Sequence, residues 1–340
     1  MKNLYQIKRK RSKAGFTGLL LAMVVTVISC VTLDSVVYES TLTAGEEATF
    51  TVNMSIDAVA VDGNISTRLI FSFLAPKSWN AAANTTVTYI DTYSPGVVKT
   101  MSLIPAETAP SSKQGMTWAA ALRAEYGVGP NVLDDMEWVT YQSNETYSVG
   151  NGDKQSAAIK VVTKVGTDNI RVKLGFYVDH SDNGLGGNVN NNASHAVFYT
   201  DCIKVLNGEG DLIDFCEPHF NLVVPVNATK NDILSIKFQG DIRPNDLDGI
   251  DEIYLVAKAT TNFNSEYEIS EKSAKTRMVH ESGKTYSVTC WAADYFGIPE
   301  NEEIIRIKYY FTNSDDSMSV TPEDEEAGTG TWFTKTVICK

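Results

Sequence analysis

The sequence predicts a mainly β protein: two tandem Ig-like β-sandwiches behind a lipoprotein signal peptide, with one short helix inserted in the first sandwich. Three observations lead there. Short runs of β-branched and aromatic residues, separated by Gly, Asn and Asp turns, recur along the chain. A basic stretch, an apolar stretch and then Ser29-Cys30 open it. The length left after that opening exceeds one comfortable core, so two domains are the default.

The opening segment is the most specific part. Lys2, Lys8, Arg9, Lys10, Arg11 and Lys13 form a cationic start, and Gly15 to Ile28 form a greasy middle. That middle is 14 residues long, short of the roughly 20 that span a bilayer. A Cys directly after a small residue at the cut is what a lipobox requires. Cys30 is therefore the expected lipid attachment site, taking a diacylglycerol and, on its freed amine, a further acyl chain such as palmitate. Two or more chains anchor stably where one does not. The expected location is the outer membrane, with the body lipid-anchored on its surface or periplasmic face.

The segments predicted are 1–29 for the signal peptide, 30–36 for a tether, 37–218 for the first sandwich with its insertions, and 219–340 for the second. Removing residues 1–29 from 340 leaves 311 and takes away six Lys/Arg and no Asp/Glu. The 29 basic residues become 23 against 42 acidic ones, a net charge of −19. An acidic body without a basic stripe argues against a nucleic-acid partner.

Strands are predicted at 49–56, 68–74, 86–90, 158–164, 170–178 and 196–199 in the first sandwich. Those of the second are 222–226, 233–238, 252–259, 287–291, 304–311 and 333–339. Ala and Leu crowd Trp118 to Tyr126, which reads as the helix. Four cysteines besides Cys30 allow three pairings. The stretch from Cys202 to Cys216 is symmetric about Glu209, with the turn signal Asn207-Gly208-Glu209-Gly210-Asp211 at its centre. Folded as a hairpin, it would set Cys202 opposite Cys216, closing a loop worth roughly 3 kcal/mol. Cys290–Cys339 then follows by elimination. No Cys-x-x-Cys or clustered His points to a metal instead.

The lipobox, the acidic tandem-sandwich body and the length together resemble outer-membrane lipoproteins of Bacteroidota of the polysaccharide-utilisation type, an uncharacterised family. The C-terminal third carries the sharpest likeness. Asp232 to Phe238, Leu247-Asp-Gly249, Ile253 to Val256, Thr289-Cys-Trp291, Tyr295-Phe296 and Ile307 to Asn313 succeed one another as in Ig-like modules appended to glycan-degrading and glycan-binding proteins. The resemblance implies a polysaccharide or oligosaccharide ligand and an importer complex in the outer membrane as neighbour.

Sugars are held by aromatic faces against their C–H surfaces and by planar polar side chains at their hydroxyls. Trp291 and Tyr295 lie beside Asp294, Trp79 follows a loop-like Ala75-Pro76-Lys77-Ser78, and Trp332 follows Gly328-Thr-Gly-Thr331. These four are the candidate glycan-binding residues, weighed against service as core anchors. Calcium is a weaker reading. Asp179 and Asn183 sit at alternating positions before Gly184, like half an EF-hand loop, but Asn190 stands where a bidentate Glu is expected. Asp246 and Asp248 form a second oxygen-rich turn.

No Gly-x-Ser-x-Gly and no His-Glu-x-x-His occurs, and His180, His195, His219 and His280 stand in no motif. Ser282-Gly283-Lys284-Thr285 echoes a phosphate loop, but Met278 occupies a position that needs Gly. The reading is a non-enzyme without cofactor that binds polysaccharide. The alternatives are a fimbrillin-like structural or adhesive subunit and, less favoured, a glycoside hydrolase.

Overall fold

The computed structural model describes residues 28–59, 64–186, 194–226, 228–229, 231–325 and 330–337. The signal-peptide reading covers residues 1–29, of which 1–27 lie outside that range, while Ile28 and Ser29 lie in the first strand. The first unit contains β1 (Ile28–Val37), β2 (Thr41–Thr43), β3 (Glu47–Val59), β4 (Asn64–Thr67) and β5 (Leu69–Pro76). A one-turn α1 (Ala81–Asn84), β6 (Thr85–Asp91), β7 (Lys99–Leu103) and α2 (Trp118–Tyr126) follow. Then come β8 (Met136–Ser143), β9 (Tyr147–Gly150), β10 (Lys154–Lys164), β11 (Asp168–Val172) and β12 (Gly175–His180). β13 (Ala196–Tyr199), β14 (Ile203–Leu206) and β15 (Glu209–Asp214) complete it.

Nine of these strands make one sheet in the order β1-β3-β10-β6-β7-β8-β5-β12-β13. The sheet curls until β1 touches β12 and β13, with Tyr38 and Phe198 ring centroids 6.4 Å apart. Strand alternation sends one face inward, where Phe50, Phe71, Phe73 and Phe176 are fully buried. Their rings sit 5.4–6.4 Å apart, within the range of favourable aromatic pairs. A four-stranded sheet, β15-β11-β14-β2, adds Leu42, Ile170, Val172, Ile203 and Val205 to the same core. Helix α2 begins where Thr117 Oγ1 accepts the Ala120 N–H at 3.1 Å and stops at Gly127, whose φ is 58°.

The second unit is a sandwich of two sheets. β16 (Asn221–Val224), β17 (Ile233–Gln239), β20 (Val279–Ser282) and β21 (Thr285–Trp291) form one, in the order β16-β17-β21-β20. β18 (Tyr254–Thr261), β19 (Glu266–Ile269), β22 (Ile304–Thr312), β23 (Ser319–Val320) and β24 (Phe333–Thr336) form the other. The two meet through Phe238 and Phe311, 5.0 Å apart. A five-residue α3 (Ala292–Phe296) follows β21, a helix the sequence reading lacks. The hydrophobic cores are separate: one gathers residues from Val31 to Phe215, the other from Phe220 to Val337. The chain is thus mainly β, two tandem sandwiches with short helices.

Two local expectations are corrected. Residues 30–36 are no tether: they lie in β1, paired antiparallel with β3 from Ile28↔Val59 to Val37↔Thr51, and Val31 is buried. A bulge between Leu33 and Ser35 shifts the register there and hides the alternation. The Cys202–Cys216 stretch is no hairpin either. β11 lies between β14 and β15, antiparallel to the first and parallel to the second. The chain crosses the start of β11 at Gly208, where a Cβ would lie 2.4 Å from the Thr167 carbonyl oxygen. The Cys202–Cys216 disulfide forms nonetheless, with Cα atoms 6.0 Å apart.

Candidate functional site

The four aromatics proposed for glycan contact do not converge. Trp79 is fully buried against Phe73. Tyr295 is buried on α3, its hydroxyl donating to the Lys275 carbonyl at 3.3 Å. Trp291 is 53% exposed on the outer face of its sheet, across from Ile233. Trp332 is half-buried on the outer side of the other sheet, edge-on to Tyr310 at 4.9 Å with Lys258 Nζ 5.4 Å over its ring. Two opposite faces of one sandwich cannot close on one ligand.

The calcium loops are organised by other partners. Asp179 is fully buried and accepts hydrogen bonds from the Tyr177 hydroxyl at 2.5 Å and from the His180 and Leu185 N–H groups at 2.6 and 2.7 Å. Desolvation pushes its carboxyl up to about 7 despite those donors. The backbone carbonyl of Asn183 accepts the Gly186 N–H, within the turn. Asp248 accepts from Lys284 Nζ at 2.8 Å, so an ammonium stands where a cation was expected, and Asp246 is exposed. Among the described residues, the one group spaced for a metal is Cys202, Asp214 and Cys216, and its two sulfurs are bonded to each other. Cys290 is a free thiol, pushed up to about 11 by burial, and its expected partner Cys339 lies outside the described residues.

What the fold does bring together is the junction of the two sandwiches. A cleft of about 850 Å³ opens there. Its floor is built by the end of β15 and the linker after it. Asp214 Oδ1 accepts the Cys216 and Glu217 N–H groups at 2.8 and 3.2 Å, which turns the chain. Its Oδ2 accepts from Arg171 Nη1 at 2.6 Å and faces His219 Nε2 at 3.2 Å. The other ring nitrogen, His219 Nδ1, faces Glu325 Oε2 of the second sandwich at 2.8 Å. Glu325 Oε1 accepts the Phe220 N–H at 2.9 Å.

With a carboxylate at each nitrogen, the His219 ring donates twice and is an imidazolium. Hydrogen bonds to Asp214 and then Glu325 hold its pKa up at about 9, against desolvation. Burial pushes Asp214 upward, but His219, the Cys216 N–H and Arg171 outweigh it and its carboxyl sits below the usual range. A second latch lies alongside. Asp211 accepts the Thr336 N–H at 2.5 Å and the Thr336 hydroxyl at 2.6 Å, with Lys335 Nζ 3.6 Å away.

The cleft is amphipathic and charge-balanced. Arg171, His219, Arg243 and Lys335 face Asp211, Asp214, Glu217 and Glu325. Val132, Leu133, Leu212, Leu222, Trp332 and Phe333 supply apolar wall. Trp332 is the one predicted glycan residue that lines it. Sequence reading missed the latch, because Glu325 lies 106 residues from His219 and no local pattern links them.

A family model described as a domain of unknown function (DUF4961) matches residues 31–219, more than half of the chain. The chain belongs to the DUF4961 family. A second domain of unknown function (DUF8578) matches residues 221–320 of this DUF4961 protein. No curated protein matches it. Among solved structures, it is similar at 9% identity to the C-terminal domain of the Streptococcus pyogenes antigen I/II-family protein AspA, over 92% of this chain and 99% of that one, with a TM-score of 0.28. The group B streptococcus pilus 2b backbone protein aligns at 11% identity over 91% and 95%, with a TM-score of 0.22. The Corynebacterium diphtheriae major pilin SpaA aligns at 8% over 87% and 58%, with a TM-score of 0.24. Scores this low do not establish a shared fold.

Proposed function

We propose that this is a non-catalytic cell-envelope protein, anchored by acyl chains on Cys30, that takes a neutral polysaccharide chain into the cleft between its two sandwiches. The observation that carries the reading is the cleft's composition. Its charges are equal in number and its carboxylates pair largely with its own cations or backbone donors, so it does not call for a charged ligand. Its remaining wall is mainly apolar, with one indole and the polar side chains of Asn221, Gln239 and Thr334, which suits a ligand presenting C–H faces and hydroxyls together. An importer complex is the partner such a holder would serve.

The test is electrophoresis of the Val31–Lys340 protein through gels cast with starch, β-glucan, xylan or mannan. Retardation by one polymer is expected to be lost in Trp332→Ala and Leu212→Asp and kept in Trp291→Ala, whose side chain is on the far face. Retardation that survives both cleft substitutions overturns the assignment of the site.

A second reading has its own support. The latches tie the two sandwiches together and the exposed aromatics are scattered, which also fits a structural or adhesive subunit. Absence of retardation by every polymer, with the protein folded and SDS-resistant ladders present, would favour that subunit.

A further inference from the structure

We propose that the Thr92–Val98 turn docks into the lipid headgroup region beside Cys30, giving the protein a second membrane contact that stands it upright. The inference rests on the lipid-anchor reading above and adds a surface to it.

The register places the turn. Cys30 pairs with Asp57 on β3, and Asp57 pairs with Lys154 at the start of β10. β6 runs antiparallel to β10 and ends with Asp91 opposite Ala157. The chain then continues toward Lys154, with the Thr92 N–H donating to the Ser156 carbonyl at 3.1 Å. The β6–β7 turn therefore leaves the sheet at the same end as Cys30. Three strand spacings separate them laterally, about 14 Å.

The turn has the composition of a membrane contact. Thr92-Tyr-Ser-Pro-Gly-Val-Val98 contains no charged residue, although the chain carries 42 acidic ones. Tyr93, Val97 and Val98 are 41, 53 and 64% exposed. The two charges that flank it in sequence are withdrawn: Lys99 Nζ and Asp91 Oδ2 are paired at 2.7 Å with side chains 12 and 3% exposed, while Asp153 of the neighbouring turn lies near Tyr93. The apolar tip is also held in shape. The Ser94 N–H donates to Asp91 Oδ1 at 2.9 Å, the Val97 N–H to the Ser94 carbonyl at 3.1 Å, and Tyr93 packs on Tyr147 at 5.2 Å. Tyr at the headgroup level with apolar neighbours matches interfacial preference, and such contacts sink about 5–10 Å into the headgroup boundary.

The test uses the Cys30–Lys340 chain with Cys290→Ser and Cys339→Ser, leaving Cys30 as the reactive thiol. A phospholipid-maleimide is coupled there and the protein is bound to phosphatidylethanolamine–phosphatidylglycerol vesicles. Hydrogen exchange of the 92–98 amides is expected to slow about fivefold or more relative to the uncoupled protein, with the Asn262–Asn264 turn of the second sandwich unchanged. Val97→Asp/Val98→Asp is expected to remove that slowing and to weaken vesicle partition about tenfold. Vesicle-bound protein whose 92–98 amides exchange at the uncoupled rate overturns the proposal. The anchor reading is judged separately, by the mass of the N-terminal peptide from envelope-expressed protein: an unacylated Cys30 overturns that reading, while the coupled protein still decides the turn.

Discussion

Deprotonating His219 should loosen the junction, and the size of the effect can be worked from the structure. The ring bridges Asp214 and Glu325, and both hydrogen bonds need its protons. A histidine raised from its ordinary 6.5 to about 9 holds about 3 kcal/mol if all of it opposes unfolding. The side chain is 33% exposed, so solvent screening leaves about 1–2 kcal/mol. The sign follows from the direction of the shift. The folded state holds the proton more tightly than the unfolded chain. The stabilisation is full below about pH 6.5 and is lost as pH rises through about 9. Asp179 titrates near the lower edge of that window, so the assay must be differential. Urea midpoints of the wild type and His219→Gln would be compared from pH 6 to about 9.5. The wild type should lead by about 1–2 kcal/mol at pH 6 and lose that lead by pH 9.5. A lead that is constant with pH, or grows with it, would refute the double-donor geometry.

The remaining predictions concern stability. Cys202→Ser/Cys216→Ser should cost roughly 3 kcal/mol in a chemical denaturation curve under non-reducing conditions. A cost under about 1 kcal/mol would mean that the disulfide restrains little in the unfolded chain. Lys99→Met should cost about 3–5 kcal/mol, because it leaves the buried Asp91 carboxylate without its cation. Lys99→Met/Asp91→Val should recover part of that loss, and simple additivity of the single changes would contradict the pairing.

The sandwiches were legible because their strands alternate. Leu234, Ile236 and Phe238 are buried between the more exposed Ser235, Lys237 and Gln239, and the strand expected over 233–238 from that pattern is found over Ile233–Gln239. Helix α2 was legible to the residue, since Ala and Leu fill it and Gly127 stops it. β1 was illegible because the bulge at Asp34 breaks its period and Val31 is buried only by the assembled core of the first unit. The predicted 170–178 strand became β11 and β12, which pair with different sheets on either side of Lys173 and Leu174. Trp79 shows why the glycan residues scattered. Its flanking Pro76, Lys77 and Ser78 look like a loop, and they form a tight turn that drives the indole inward beneath Gly166. The junction latch was beyond reach, since its chemistry exists only once two separate cores abut.

The disulfide has one more consequence. Cys216, two residues after Asp214, presents the N–H that Asp214 Oδ1 accepts, while Asp214 Oδ2 meets His219. The bond to Cys202 therefore braces the acid on which the junction depends. Such a bond closes where thiols are oxidised and stays open where glutathione keeps them reduced. In a reducing compartment, the Asp211–Thr336 latch would still stand, and only the Asp214 carboxylate would lose its support.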